Sequence, residues 1–187
     1  MSDAALLLID LQNDYFPGGR MELEGSLAAV AKAAQALDAF RRRGLPIVHV
    51  RHLSVRPGAT FFLPGTPGAE IHASVAPQAD EPVVEKNFPN SFRATDLKER
   101  LDGAGVRHLV VAGMMTHMCV DASVRQANDL GFRVTLLADA CATRAQRFGD
   151  ESVPARQVHL AFLAALNGAY ARVAATDEIL SNLAEST

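Results

Sequence analysis

Three residues far apart in the chain, Asp10, Lys86 and Cys119, have the types needed for nucleophilic acyl transfer. A cysteine attacks a carbonyl carbon as the thiolate, and a free thiol with a pKa of about 8.5 is mostly protonated at neutral pH. It therefore needs a base and a nearby cation. Asp10 is the expected base, taking the thiol proton and later returning it to a leaving amine. Lys86 is the expected cation, orienting Asp10 and stabilising the thiolate. Backbone N–H groups around Met115 and Cys119 would supply an oxyanion hole, a contribution typically of about 3–4 kcal/mol. The implied reaction is attack on an amide carbonyl, loss of ammonia or an amine, and hydrolysis of a thioester.

Taken singly, each residue has an ordinary reading: a buried cysteine, a strand-ending aspartate, a solvated lysine. Their positions relative to the expected elements argue otherwise. In Leu109-Val110-Val111-Ala112-Gly113-Met114-Met115-Thr116-His117-Met118-Cys119 an apolar run stops at a glycine and delivers the cysteine into a helical pattern. The positive end of a helix there is expected to favour the thiolate. Asp10 lies just past the apolar run over 4–9, and Lys86 ends the short run over 83–86.

The rest of the chain supplies the frame. Strands are expected over 4–9, 47–52, 83–86, 107–112, 132–138 and 169–174. Helices are expected over 26–43 with Ser26 as cap, from Thr95 or Asp96 to about 103, over 117–130, over 151–166, and from a Thr176 cap onward. Alternation of strand and helix implies an α/β fold, a mostly parallel sheet with helices on both faces. Ligands in such sheets bind beyond the carboxyl ends of the strands, which is where all three residues fall. The Pro- and Gly-rich stretch over 55–82 reads as a loop covering that edge. With the tip near 144–150, it is expected to set substrate choice.

Composition excludes several classes. The 187 residues form one expected domain, able to bury roughly 70% of its unfolded surface. A net charge of −3 offers no basic field for nucleic acid or anionic lipid. The run Arg41-Arg42-Arg43 falls at a helix end, where it can offset the dipole. No stretch is long and apolar enough for a membrane span. Met1-Ser2-Asp3 lacks the basic start of a signal peptide, and two cysteines make no disulfide framework. A reduced, cytoplasmic enzyme is expected. A dinucleotide or nucleotide fold would show a Gly-rich turn after the first strand, where the chain instead has Asp10-Leu11-Gln12-Asn13-Asp14. A thiol redox protein would show a C-x-x-C pair, and none occurs.

These segments resemble the isochorismatase-like cysteine hydrolases, relatives of nicotinamidases and N-carbamoylsarcosine amidase. The resemblance rests on Leu8 to Phe16, Glu85 to Phe92, Gly113 to Val120, Asp129 to Phe132 and Ala138 to Thr143, and spans about residues 4–176. It implies the Asp10–Lys86–Cys119 triad and a non-proline cis peptide between Met114 and Met115 that turns the following N–H groups toward the oxyanion. It also implies a three-layer fold with a six-stranded sheet in the order 3-2-1-4-5-6, and a homo-oligomer, dimer or tetramer.

Nicotinamidases carry a metal-binding Asp-x-His pair after the second strand. Here that stretch is His49-Val50-Arg51-His52, and a cationic Arg51 would repel a metal. His49 and His52 point to opposite faces of a strand. His52 and His72 therefore read as ordinary polar histidines, and neither a metal nor another cofactor is expected. Isochorismatases proper act on a vinyl ether and commonly lack the cysteine, so retention of Cys119 favours amide, carbamoyl or ureido C–N cleavage of a small molecule. A catalytically idle scaffold remains the other alternative. Pocket walls are expected from Phe16, Phe61, Phe62 and Phe88, with polar contacts from Gln12, Ser91 and His117. Cys141 reads as structural.

Overall fold

The computed structural model describes residues 3–184. Its centre is β1 (Ala4–Ile9), six residues with no exposed member. Such a run has no polar face because both faces are covered. Its side chains alternate between two cores: Leu6 and Leu8 enter one, while Ala5, Leu7 and Ile9 enter the other.

Around it run β2 (Ile47–His52), β3 (Val83–Lys86), β4 (His108–Met114) and β5 (Arg133–Ala142). A hairpin follows, β6 (Gln146–Phe148) with β7 (Glu151–Val153), then β8 (Arg172–Ala174). The main sheet has six parallel strands in the order β3-β2-β1-β4-β5-β8. This is the expected three-layer α/β topology, the sixth sheet position being taken by the eighth strand in the chain. Strand order reverses between β1 and β4, which opens the crevice where α/β sheets bind ligands.

Helix α1 (Ser26–Arg42) buries Ala29, Val30, Ala33, Ala36, Leu37 and Phe40, a three- and four-residue spacing that makes one apolar stripe. It covers one face together with α5 (Thr176–Ala184). The other face is covered by α2 (Leu97–Gly103), α3 (Asp121–Asp129) and α4 (Ala155–Leu166).

Several local expectations are corrected. Gly25, in a left-handed conformation, caps α1, and Ser26 is already helical and buried. Thr176 is the first residue of α5, and its N–H and hydroxyl both donate to Asp139 Oδ1. Residues 151–153 pair in the hairpin, and α4 starts only after Pro154, which has no N–H to donate. The stretch over 117–130 divides into a wide π-type turn, Thr116–Val120, and α3. Arg41 leaves the end of α1 to pair with Glu81, while Arg43 donates back to the Ala39 carbonyl at 3.3 Å.

Candidate active site

The carboxyl edge of the sheet brings together Asp10, Lys86 and Cys119, each from a different strand end. Asp10 follows β1 with φ of 52°, a left-handed conformation that Asp tolerates better than most residues. Lys86 ends β3 and extends under the edge, fully buried. Its Nζ donates to Asp10 Oδ2 at 2.7 Å, with both side chains completely shielded from solvent. Cys119 lies in the π-type turn after β4 and is 4% exposed.

Gly113 makes this approach possible. Its φ is 147°, and a Cβ there would come within 2.1 Å of the Ile9 carbonyl oxygen. Only glycine lets β4 pass so close to the end of β1. The β4–β5 register shifts at the same place, between Val111 and Gly113. The Met114–Met115 peptide bond is cis.

Burial, reinforced by the Asp10 charge, pushes the Cys119 thiol far above its usual range, against the opposing pull of Lys86. Burial also opposes the charged form of Lys86, but the Asp10 carboxylate holds its ammonium above the ordinary lysine value. Asp10 Oδ1 is buried with no hydrogen-bond partner. A carboxylate oxygen, a His52 ring nitrogen and Cys119 Sγ lie within 4.8 Å of one another. The Asp10 carboxylate thus stands close to the sulfur, on the same sheet edge as the base that a thiol nucleophile needs.

Asp10, His52 and Cys119 also make a donor set that suits a divalent ion in type, but the surroundings do not fit one. The Lys86 ammonium already contacts Asp10 Oδ2 at 2.7 Å and His52 Nδ1 at 3.1 Å. A cation thus holds the place, and a second one would be repelled. Arg51 pairs with Glu70 and Glu85, adding no acidic ligand. His72 accepts from the Ser74 N–H and stacks on Phe16 at 4.1 Å, away from His52.

A cavity of about 410 Å³ opens over Cys119. Phe61 and Phe62 line it, with Tyr15, His52, Met115 and Met118. The other pocket candidates do not reach it. Gln12 is spent on loop structure, donating to the His52 and Ala69 carbonyls and accepting the His52 N–H. Phe16 is buried against His72. Phe88 lies under the Arg93 guanidinium at 3.8 Å. Ser91 bonds Ser123. His117 contacts Thr143 Oγ1 and faces Phe162. A strand end and its loop contain more polar groups than a small cavity can use, and the backbone claims most of them. Cys141 is buried in β5, its thiol pushed up to about 12 by burial.

Sequence reasoning missed Tyr15, His52 as a site residue, Arg56 and Arg144, all on the cavity wall. Burial first, reinforced by the Asp10 and Asp14 charges, raises the Tyr15 phenol well above its usual value, so it remains a neutral donor. Tyr15 had been visible within the first motif, and Arg144 at the tip singled out after β5. The covering loop is fastened by Asp14, whose carboxylate accepts the N–H groups of Arg20 and Phe62. Gly68 packs so close to that carboxylate that a Cβ would meet it at 2.2 Å. The loop is thereby pinned with Phe62 over the site.

A parallel α/β sheet with an acid, a lysine and a cysteine at its switch point defines a class of hydrolases, and comparison with known proteins agrees. The Isochorismatase domain family matches residues 4–178, and the chain belongs to that family. The isochorismatase family protein YddQ of Bacillus subtilis is 50% identical over 176 residues, covering 94% of this chain and 98% of that protein. An isochorismatase hydrolase structure from Oleispira antarctica superposes with a TM-score of 0.93 at 52% identity, covering 96% and 97% of the two chains. Maleamate amidohydrolase of Pseudomonas putida is 34% identical over 154 residues, covering 75% and 72%. The protein is a hydrolase of this family.

Proposed function

We propose that the protein cleaves the C–N bond of a small amide, carbamoyl or ureido compound through a thioester on Cys119. The observation that carries this reading is the meeting of three groups: the Lys86 ammonium donates to Asp10 Oδ2 at 2.7 Å, and an Asp10 carboxylate oxygen lies within 4.8 Å of Cys119 Sγ. Asp10 takes the Cys119 proton as sulfur attacks the carbonyl carbon. Lys86 stabilises the negative charge passing between them, and the Met115 and Cys119 N–H groups receive the oxyanion. Collapse of the tetrahedral intermediate breaks the C–N bond, and the Asp10 proton goes to the leaving nitrogen. Water, deprotonated by Asp10, then opens the thioester, and its proton returns to Cys119 as the acid departs.

Amide cleavage in a relative, maleamate amidohydrolase, supports the bond type. The cavity wall supports the substrate's character: its charged lining residues beyond the reacting groups are Arg56 and Arg144, both exposed cations with no acidic lining residue to neutralise them. An apolar or aromatic body against Phe61 and Phe62, with an anionic end toward the arginines, fits that wall. The reading carries with it reduced, cytoplasmic surroundings and assembly into a dimer or tetramer. Phe148 on the hairpin is 89% exposed, with Val153 and Leu160 also exposed nearby in the chain, which supports a covered face in an assembly. Among the described residues no helix is long and apolar enough to cross a membrane.

The test is ammonia release over a panel of small amides, carbamoyl compounds and ureides, with and without a carboxylate. Cys119→Ala should reduce hydrolysis to background, and mass spectrometry should find an acyl adduct on Cys119 in the native enzyme. Hydrolysis that survives Cys119→Ala would overturn the nucleophile assignment.

A further inference from the structure

His52 is not needed by the three-residue mechanism, yet it is built into the site more firmly than its exposure suggests. Its backbone is clamped on both sides by Gln12, which accepts the His52 N–H at 2.7 Å and donates to its carbonyl at 2.9 Å. Its ring lies 6.0 Å from that of Phe62, which the Asp14 latch fixes. Its Nδ1 lies 3.1 Å from Lys86 Nζ. Residues 52 and 86 are register partners at the ends of β2 and β3, so the contact is set by the sheet itself.

We propose that His52 is a positioning residue that holds the Lys86 ammonium in the orientation serving Asp10 and Cys119 together, using the Nδ1 lone pair as acceptor. An ammonium carries three donors on a flexible stem and can rotate about a single strong contact. With Asp10 Oδ2 alone, nothing would stop it from sliding along the carboxylate toward Oδ1, the oxygen that must stay free for the thiol proton. A second acceptor from a different strand fixes the direction of Nζ. Since an ammonium can only donate, Nδ1 must be unprotonated, and the ring proton resides on Nε2. The groups facing His52 favour that neutral ring. Burial first, then the charges of Lys86 and Arg56, lower its pKa to about 4 against the opposing effect of Asp10.

This inference rests on the proposed triad, and its test is separable from the test of that triad. The probe is iodoacetamide, which alkylates Cys119 through its thiolate fraction, so the rate at a fixed pH reports how well Lys86 supports that anion. His52→Leu removes the acceptor at similar volume and should slow alkylation at about pH 8 about tenfold, with kcat on the best panel amide falling about tenfold and KM nearly unchanged. His52→Asn retains a carbonyl acceptor and should restore most of both. If the leucine variant does not fold, as judged by circular dichroism, His52→Ala takes its place. A native alkylation rate in the leucine or alanine variant overturns the proposal, as does an asparagine variant as impaired as leucine. Hydrolysis persisting in Cys119→Ala is a different failure, that of the nucleophile itself.

Discussion

Two ionic clusters border β2, one at His49 and the other at His52 three residues on, and they differ in what is left over. Toward the amino ends of β2 and β3, Glu81 accepts from Arg41 Nε at 2.7 Å, Arg41 Nη2 at 2.8 Å, His49 Nε2 at 2.9 Å and the Gln78 N–H at 2.9 Å. Both carboxylate oxygens are committed. At the carboxyl ends, Asp10 shares one oxygen with Lys86 and keeps the other without a partner among the described residues, while the carboxylate stands within 4.8 Å of the Cys119 sulfur. Cavity size does not distinguish the two, since a space of about 400 Å³ borders Arg41 and Glu81 as well. The single leftover at the first cluster is His49 Nδ1, a neutral nitrogen with no nucleophile to serve. A saturated cluster fastens the fold, whereas one with a spare basic oxygen next to a nucleophile can move a proton. Burial of an unsatisfied carboxylate oxygen costs stability, and such a cost is typical of sites that do chemistry.

The sharpest way to break this contrast is Asp10→Asn, which removes the base while keeping the shape. Hydrolysis of the best panel amide should fall about a thousandfold, measured as kcat, and loss of less than tenfold would mean that the spare oxygen is not the proton acceptor. The complementary change is Glu81→Gln. Its carboxyl is held down to about 2, first by the Arg41 hydrogen bonds and also by Gln78 and His49. A depressed folded-state pKa gives stability that is fully present above the unfolded value of about 4.5 and lost as pH falls through about 2. The native protein should therefore become easier to denature as pH falls through that window. At neutral pH Glu81→Gln should cost about 3 kcal/mol by urea titration with kcat unchanged. A large loss of kcat in a folded Glu81→Gln protein would erase the distinction between the clusters.

Smaller effects sharpen it further. Arg144→Gln should raise KM for a carboxylate-bearing amide about fivefold and leave a neutral analogue unaffected, since a solvent-exposed cation contributes modestly. An equal effect on both analogues would count against an anionic substrate. Incubation with a chelator should leave the rate unchanged, because the Lys86 ammonium already fills the space between Asp10 and His52. Activity lost to the chelator and restored by zinc would mean that the open cluster works through an ion instead.

Much of this was legible from local rules. The apolar run of β1 and the residues at three strand ends fix both the sheet and its reactive edge, because strand polarity in a parallel sheet sends every carboxyl end to one side. The cavity was less legible. Phe61 and Phe62 reach it, but Phe16, six residues past Asp10, stacks on His72 instead. Gln12 and Ser91 serve their own loops, since spacing gives the side of the sheet but not the partner a polar group will choose. The start of α4 was misread because a helical pattern and a short hairpin strand look alike over three residues.

By itself, then, the sequence determined that a cysteine, an aspartate and a lysine share one edge of an α/β sheet, because alternation and strand polarity are local properties. The tertiary structure decided their states. Burial raised the Cys119 thiol above its usual range, the Lys86 ammonium was shared between Asp10 and His52, and the covering loop selected which aromatics and arginines line the cavity. Each of these depends on desolvation and on distances between residues remote in the chain, and neither is encoded in a local pattern.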